Sequence, residues 1–311
     1  MKAVIVKNIV KTFKKEKTQV TALNNVSFDV EQGELFGLIG PDGAGKTTLF
    51  RILTTLMIAE SGSASVDGFD VVKDFKEIRK RVGYMPGRFS LYQDLSVQEN
   101  LSFFATLFNT TIEENYHLIK DIYVQIEKFK DRKAGALSGG MKQKLALSCA
   151  LIHKPSVLFL DEPTTGVDAV SRKEFWELLR QLQKENITIV VSTPYMDEAS
   201  LCDRVALIQE GKILKIDTPS GIESGFNQPL WSVTSDNMFK LMTDLRSMME
   251  VKSCYPFGQT HHLVLKPHGN AKQVEQALLN SGHKNLEFKT ISPNIEDCFM
   301  ELMKASLLKG N

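Results

Sequence analysis

The chain of 311 residues is 42% hydrophobic and 24% charged, the composition of an ordinary globular protein with one large and one small domain or two medium ones. Its formal net charge of +1 argues against a general attraction to nucleic acid or to an acidic membrane surface. The four cysteines are widely scattered without a CxxC pair, which predicts reduced, mostly buried thiols in a cytosolic protein.

No segment of the sequence predicts a membrane span. Charge interrupts residues 1–7 too early for a signal peptide. The longest apolar-leaning stretch, 145–152, is much shorter than the ~20 residues that cross a bilayer. We therefore expect other chains to form any membrane pore that this chain serves.

In the first part of the chain, short apolar runs alternate with turns, and apolar residues then recur at the spacing of a helix. Predicted strands cover residues 3–8, 26–30 and 34–39. A helix is predicted to begin at Lys46, with apolar residues along one face. Two more helices, 97–108 and 113–129, predict a helical subdomain inserted at about 89–150.

In the middle of the chain, short apolar runs return that are typical of strands in a parallel sheet. Apolar strands are predicted over 157–160, 188–192 and 204–208, and a last strand over 212–216. An amphipathic helix with Phe175 and Leu179 on its buried stripe lies between the first two of these strands. Residues 218–225 are rich in turn formers, which predicts a linker.

A small α+β domain is predicted over 226–311. Its predicted strands are 231–235, 251–255, 262–266 and 286–290, and its predicted helices are 238–249, 272–279 and 295–307. The adjacent His261 and His262 would point to opposite faces of a strand, which argues against a metal site between them.

A glycine-rich segment between a predicted strand and a predicted helix carries the first candidate site. It reads Gly40-Pro41-Asp42-Gly43-Ala44-Gly45-Lys46-Thr47-Thr48 and follows the GxxxxGK[ST] pattern of a phosphate-binding loop. Glycines let backbone N–H groups surround phosphate oxygens, and the helix presents its positive N-terminal end. Lys46 would neutralise the β- and γ-phosphates of ATP, and the Thr47 hydroxyl would ligate Mg²⁺. Asp42 repels phosphate mildly, so we expect its side chain to point outward.

A pair of carboxylates completes this candidate site. The apolar residues 157–160 predict a strand buried on both faces that delivers Asp161 at its carboxyl end. Asp161 would bind the metal, and Glu162 would polarise the attacking water as a general base. The alternative, a solvated pair of acids after a strand, is disfavoured by the phosphate loop upstream.

A third element lies between these two. Ser138, Gly139 and Gly140 precede a helix predicted over 141–152, where they can offer N–H donors and a hydroxyl to a second anion. Phosphate loop, LSGG segment and carboxylate strand, in this order, resemble the ATP-binding subunits of ABC transporters. Asp161 follows Ser138 by 23 positions, a spacing typical of that family.

The resemblance implies an α/β P-loop NTPase fold with an ABC-type helical subdomain in an ATPase domain at 1–220, plus a small C-terminal α+β domain. In the family, the LSGG signature contacts ATP bound to the opposite subunit, so that two subunits close around two nucleotides. Phe13 lies where the family stacks an aromatic ring on adenine, a role that we favour over a core position. Asp168 lies in a segment that resembles the loop crossing the dimer interface.

Two positions depart from the family pattern. Gly87 stands where the family has a Gln that contacts the metal and the attacking water, and Pro194 stands where it has a His that contacts the γ-phosphate. Proline has neither a side-chain donor nor a backbone N–H. Losing one preorganised donor costs about 2.7–4 kcal/mol of transition-state stabilisation. Either hydrolysis persists slowly, or this chain has a degenerate site and its Ser138 completes a competent site on a partner.

The implied function is ATP binding and hydrolysis, with Mg²⁺, by a cytoplasmic chain that is peripheral on the cytoplasmic face of the cell membrane. Its implied partners are membrane permease subunits, through which it drives export, and a second ATP-binding subunit, with a heterodimer favoured over a homodimer. Residues 292–299 are similar to the closing segment of the accessory domain in drug-exporter ATPase subunits.

Two alternatives remain at the level of the sequence. One is a non-catalytic nucleotide-binding subunit that only completes the site of a partner ATPase. The other is a soluble ABC ATPase that acts on DNA or ribosomes. The sequence has no zinc-ligand cluster, no second cassette and no basic excess, which argues against this second alternative and against a nucleic-acid partner.

Overall fold

The computed structural model describes residues 1–15 and 18–309 of the chain. The chain divides into two compact units, Met1–Pro219 together with the last residues from Ser306, and Ser220–Ala305. The division into an ATPase domain at 1–220 and an accessory domain at 226–311 stays a prediction, and its residues 16, 17, 310 and 311 lie outside the described ones. Within residues 1–15 and 18–309, no helix is long and apolar enough to span a membrane.

The strands and helices of the described residues are as follows. The strands are β1 (Lys2–Lys15), β2 (Thr18–Glu31), β3 (Leu35–Ile39), β4 (Ser61–Val66), β5 (Phe69–Asp70), β6 (Val82–Met85), β7 (Val157–Asp161), β8 (Thr188–Thr193), β9 (Arg204–Gln209), β10 (Lys212–Asp217), β11 (Leu230–Thr234), β12 (Val251–Phe257), β13 (Thr260–Leu265) and β14 (Glu287–Ile291). The helices are α1 (Lys46–Leu53), α2 (Phe75–Arg81), α3 (Val97–Leu107), α4 (Tyr116–Glu127), α5 (Gly139–Leu151), α6 (Ala169–Lys184), α7 (Pro219–Ser224), α8 (Met238–Ser247), α9 (Ala271–Asn280) and α10 (Ile295–Lys309).

The main sheet of the first unit has the strand order β10-β9-β3-β8-β7-β6, parallel except for the antiparallel β10. Every residue of β3 and β7 is buried, as expected for central strands covered on both faces. Phe50 of α1 packs edge-to-face on Phe159 of β7, with ring centroids 5.5 Å apart. The carboxyl ends of β3, β6, β7 and β8 meet at one edge of this sheet, where α/β folds place their ligands.

A second, antiparallel sheet has the order β2-β1-β4-β5. The strands β1 and β2 are much longer than predicted because they pair as a ribbon whose outer half is exposed and lacks apolar alternation. No sequence pattern predicted β4, β5, α2 or β6. Small residues dominate β4, and Gly83 interrupts the short β6, so neither has the run of large apolar residues that predicts a strand.

The predicted helical subdomain contains α3, α4 and α5. The helix α3 begins with a capping box, in which Ser96 accepts from the Glu99 N–H and Glu99 accepts from the Ser96 N–H. The helix α4 begins at Tyr116, and the prediction that it begins at 113 is wrong. A turn precedes it, since Glu114 accepts hydrogen bonds from the Thr110 hydroxyl and the Thr111 N–H.

The second unit contains an antiparallel sheet with the order β12-β13-β11-β14. Together with α8 and α9 its strands follow one another along the chain as β-α-β-β-α-β, a split β-α-β arrangement. Buried residues of both helices, including Leu241 and Leu278, form a core with Val233, Cys254 and Leu263 of the sheet. The segment 218–225, predicted as a linker, contains the short helix α7, which begins at a proline as helices often do.

Candidate functional site

The phosphate-loop segment connects β3 to α1 at the edge where the parallel strands end. Gly45 has φ +103°, and a Cβ there would lie 2.3 Å from the Ala22 carbonyl oxygen of β2. A Cβ at Gly40 would lie 2.1 Å from the Ile208 carbonyl oxygen of β9. Any larger residue at Gly40 or Gly45 would therefore overlap the backbone of β9 or β2, so glycine is needed here even without a bound ligand. Asp42 is exposed, whereas Ala44 is buried.

Lys46 is buried at the start of α1, with its ammonium group surrounded by oxygen atoms. Its Nζ donates to the Gly40 carbonyl at 2.8 Å and to the Pro41 carbonyl at 3.0 Å. Glu162 Oε1 lies 3.1 Å from the same Nζ. The structure therefore brings the phosphate-loop lysine and the candidate general base together.

Asp161 ends β7 and is buried, and the neighbouring strand β8 orients it. Ser192 Oγ donates to Asp161 Oδ1 at 2.6 Å. The Glu162 N–H donates to the Ser192 carbonyl at 3.0 Å and to its hydroxyl at 3.1 Å. Glu162 itself has φ +51°, an uncommon conformation that turns the chain out of the strand. Ser192, which the sequence analysis did not single out, thus holds both carboxylate residues.

These residues border a cleft of about 600 Å³. Its lining residues are Thr47, Arg51, Tyr84, Pro86, Gly87, Arg88, Asp161 and Glu162. Burial, followed by the negative charge of Asp161, raises the pKa of Tyr84 to about 12, although Arg51 opposes this shift. Arg51, Tyr84 and Arg88 were not predicted from the sequence as site residues. Arg51 lies one helical turn after Thr47, a spacing that could have placed it at the same cleft.

Both positions that depart from the family pattern lie at this edge of the sheet. A Cβ at Gly87 would lie 3.0 Å from the Asp161 carbonyl oxygen and 3.7 Å from Glu162 Cβ. Pro194 follows Thr193, the last residue of β8, whose carbonyl accepts from the Gly40 N–H at 3.2 Å. A side chain at 87 would therefore begin beside the carboxylates, and residue 194 follows a strand end that is bonded to the phosphate loop.

The signature segment lies at the exposed start of α5. Ser138 is the N-cap and its hydroxyl accepts from the Met141 N–H at 3.4 Å. The helix begins at Gly139, two residues before the predicted start, because Ser138 can cap it there. Gly139 and Gly140 are not covered by large side chains, since a Cβ at Gly139 would meet only the Gly166 carbonyl oxygen, at 3.6 Å.

Asp168 lies close to this segment along the same surface of the first unit. It caps α6, accepting from the Val170 and Ser171 N–H groups at 3.1 and 3.0 Å. These hydrogen bonds, chiefly that of Ser171, hold the pKa of Asp168 below its usual value. Because Gly139 is near Gly166, the two segments that the family places at a dimer interface are neighbours and both exposed.

Phe13 lies on β1, opposite Val20 of β2, and 39% of its surface is exposed. Lys11 Nζ lies 5.7 Å from the centre of its ring. Two residues beyond Val20, the Ala22 carbonyl contacts the phosphate loop at Gly45. Phe13 is therefore an exposed ring on the strand pair that borders the phosphate loop, and not a core residue.

Comparisons with known proteins agree with this geometry. A family model described as ABC transporter matches residues 23–165. The probable multidrug ABC transporter ATP-binding protein YbhF of Escherichia coli (strain K12) is 37% identical over 278 residues, which are 88% of this chain and 48% of that protein. Nod factor export ATP-binding protein I of Burkholderia pseudomallei (strain 1710b) is 41% identical over 290 residues, which are 92% of this chain and 93% of that protein.

A solved structure shows the same architecture. It is a dimeric ATP-binding cassette in a post-hydrolysis state, bound to ADP and Pi, with 26% identity and a TM-score of 0.63 over 69% of this chain and 98% of that one. The chain spans about half the length of the Escherichia coli relative and nearly all of the Burkholderia relative. The P-loop NTPase fold predicted from the sequence is confirmed, and the chain belongs to the family of ABC transporter ATP-binding proteins.

Proposed function

We propose that this chain is the ATP-binding and ATP-hydrolysing subunit of an ABC-type exporter, with a degenerate site of its own and a signature that completes the site of a second ATPase. The observation that carries this proposal is the position of Gly87 and Pro194. Both lie at the edge of the sheet that holds Lys46, Asp161 and Glu162. The signature residues Ser138, Gly139 and Gly140, in contrast, are all present, and Ser138 and Gly139 are exposed.

The residues of the cleft fit a magnesium nucleotide. Thr47 and Asp161 line the same cleft, and Ser192 engages only one carboxylate oxygen of Asp161, which leaves the other for a cation. Hard oxygen ligands of this kind are those that Mg²⁺ prefers. When bound, Mg²⁺ would neutralise charge on the phosphate oxygens. Lys46 and the backbone N–H groups of residues 40–48 would hold the phosphates, and Phe13 would stack on the adenine.

Catalysis would depend on Glu162 as the base. Its carboxylate reaches Lys46 at 3.1 Å, so it lies at the phosphate end of the cleft. The cleft lacks the Gln and His side chains that the family places around the attacking water and the γ-phosphate. Each missing preorganised donor lowers the rate by about 10²–10³-fold. Slow turnover by this site follows from those two losses.

The names of the relatives support a role in export. Their names include a probable multidrug transporter and a Nod factor export protein, so export is the activity that we propose here. We propose that this chain pairs with a separate second ATPase, as a heterodimer, and with membrane permease subunits on the cytoplasmic face of the cell membrane.

One alternative follows from the same observation. If Gly87 and Pro194 abolish turnover completely, the chain is a non-catalytic subunit that binds ATP and completes the site of its partner. Tight MgATP binding without phosphate release would identify it.

Nucleotide binding to the purified chain tests the proposal. We expect MgATP to bind, and Lys46→Ala to weaken binding at least about tenfold, because one charge-assisted contact to phosphate is lost. Lys142→Ala removes a lysine of α5 that does not line the cleft, and it serves as the matched control. Failure of the unmodified chain to bind MgATP, or equal binding by Lys46→Ala, would refute the proposal.

A further inference from the structure

Glu198 is a buried carboxylate that does not line the nucleotide cleft, and only 1% of its surface is exposed. It accepts hydrogen bonds from Thr164 Oγ1 at 2.8 Å and from Thr193 Oγ1 at 2.5 Å. Thr193 directly precedes Pro194, and Thr164 lies in the segment that leads from β7 to Asp168. Because a buried charge is costly unless it is paired, this carboxylate holds two loops of the site together.

A positive group of α6 faces this carboxylate. Arg172 Nε lies 3.7 Å from Glu198 Oε1, and its Cζ lies 4.1 Å from the centre of the Tyr195 ring. Arg172 Nε is buried and makes no hydrogen bond within the described part of the chain. A shift of less than about 1 Å would bring it to the 2.7–3.2 Å of a charge-assisted hydrogen bond. A small movement of Arg172 would therefore tighten the contact.

The first two turns of α6, which contain Arg172, also contact the signature helix α5. Glu174 accepts a hydrogen bond from Lys144 Nζ of α5 at 2.8 Å. A Cβ at Gly140 would lie 3.1 Å from Ser171 Oγ, so the side chain of Ser171 packs closely against the signature backbone. Movement of the first turns of α6 would therefore move the start of α5 as well.

We propose that Glu198 is a positioning residue that couples nucleotide occupancy of this chain's own cleft to its signature motif. The Gly40 N–H donates to the Thr193 carbonyl, so a rearranged phosphate loop displaces Thr193. Glu198 passes this displacement to Arg172, and α6 passes it to α5. This route runs through the carbonyl and the hydroxyl of Thr193. It therefore does not need the His side chain that the family has at position 194. This inference rests on the proposed function, because it requires that the cleft binds MgATP.

Hydrogen–deuterium exchange of the full chain with and without MgATP tests this coupling, while light scattering verifies that the chain stays monomeric. In the unmodified chain we expect MgATP to change amide exchange over residues 139–144 by about 2- to 30-fold, the range of known coupling effects. In Glu198→Gln, compared at equal ATP occupancy, we expect this change to fall below about twofold. A purely structural role of Glu198 would alter the exchange rates but not their dependence on ATP.

Asp197→Asn is the matched control. Asp197 Oδ2 lies 3.9 Å from Arg172 Nη1, but 77% of its side chain is exposed, so solvent screens the pair. We expect it to keep the full response to MgATP. If Glu198→Gln does not fold, Arg172→Gln tests the same contact from α6.

Two results would overturn the coupling. One is a response over residues 139–144 that is as large in Glu198→Gln or Arg172→Gln as in the unmodified chain. The other is an unmodified chain that binds MgATP without any change in exchange there. A chain that does not bind MgATP at all would instead refute the proposed function, so the two failures are distinguishable.

Discussion

Lys46 Nζ lies 3.1 Å from Glu162 Oε1, and the two side chains form an ion pair at the phosphate end of the cleft. A γ-phosphate bound at Lys46 would compete with Glu162 for the same cation. Repulsion from the phosphate would then displace Glu162 from Lys46 and leave its carboxylate available to accept a proton from water. We propose that binding of ATP and activation of Glu162 as the base are linked through Lys46.

Neutralising this carboxylate is expected to strengthen ATP binding. Glu162→Gln removes a negative charge close to the γ-phosphate, so we expect MgATP affinity to rise by about 3- to 10-fold while phosphate release falls below detection. Isothermal titration calorimetry and a phosphate-release assay measure the two effects. Glu77→Gln removes one partner of an exposed Lys–Glu pair on α2 and should change neither. Weaker binding by Glu162→Gln would contradict the competition described above.

Alanine variants at two glycines of the phosphate loop distinguish the cost of backbone strain from the cost of steric overlap. Gly43 has φ +79°, and nothing lies within 4 Å of a Cβ built there. Gly43→Ala should therefore lower the free energy of unfolding by about 1–2 kcal/mol, the cost of the left-handed conformation alone. Gly45→Ala adds an overlap of its Cβ with the Ala22 carbonyl oxygen at 2.3 Å, so the free energy of unfolding should fall further. Urea denaturation compares the two variants. Equal stabilities would show that the contact with β2 does not constrain the loop.

Ser192 connects the two carboxylate residues to β8. Ser192→Ala leaves Asp161 Oδ1 without its buried donor, so we expect the free energy of unfolding to fall by about 1–3 kcal/mol. We also expect a higher Mg²⁺ concentration for half-maximal nucleotide binding, because Asp161 is no longer held in place. Ser200→Ala is the control, since that exposed serine bonds only its own turn at the Asp197 carbonyl. An unchanged Mg²⁺ requirement in Ser192→Ala would argue against Asp161 as a metal ligand.

His153 predicts a pH dependence of stability. Burial lowers the pKa of His153 to about 4, although its hydrogen bond to the Val82 carbonyl acts in the opposite direction. The unfolded chain therefore binds a proton between about pH 6.5 and 4 that the folded chain does not bind. Stability from this group is complete above pH 6.5 and is lost as the pH falls towards 4, by about 2–3 kcal/mol.

The variant His153→Phe checks this effect. The ring of His153 stacks on Phe108 with centroids 3.8 Å apart, so a phenyl ring can keep the stacking. The difference in unfolding free energy between pH 7 and pH 4.5 should be smaller in His153→Phe than in the unmodified chain. His117→Gln changes an exposed histidine of α4 and serves as control. The same pH dependence in all three forms would contradict the burial of a neutral His153.

The sequence predicted those parts of the protein that are specified by a short, local pattern of residues. The glycines around Lys46 and the apolar run before Asp161 identified the phosphate loop and the carboxylate strand because both patterns are local. The order of strands and helices in the second unit was likewise predicted from alternation alone, although the pairing of β11 between β13 and β14 was not.

The remaining features depend on contacts between distant residues. Ser192 is bonded to Asp161 and Glu198 to Thr164, in each case more than about 30 positions away, and no local pattern predicts these two contacts. The strand β4 consists mostly of small residues and forms because it pairs with β1, a case in which tertiary context overrides propensity. The Lys46–Glu162 contact likewise requires the parallel arrangement of β3, β8 and β7.

The most direct test of a degenerate site is phosphate release at saturating MgATP by the unmodified chain, by Gly87→Ala and by the double variant Gly87→Gln with Pro194→His. Gly87→Ala controls for the close approach of a Cβ to the Asp161 carbonyl oxygen at 3.0 Å. We predict that the unmodified chain binds MgATP but releases phosphate slowly, and that the double variant is faster by about 10²-fold or more. Robust turnover by the unmodified chain alone, equal to that of the double variant, would contradict the proposal.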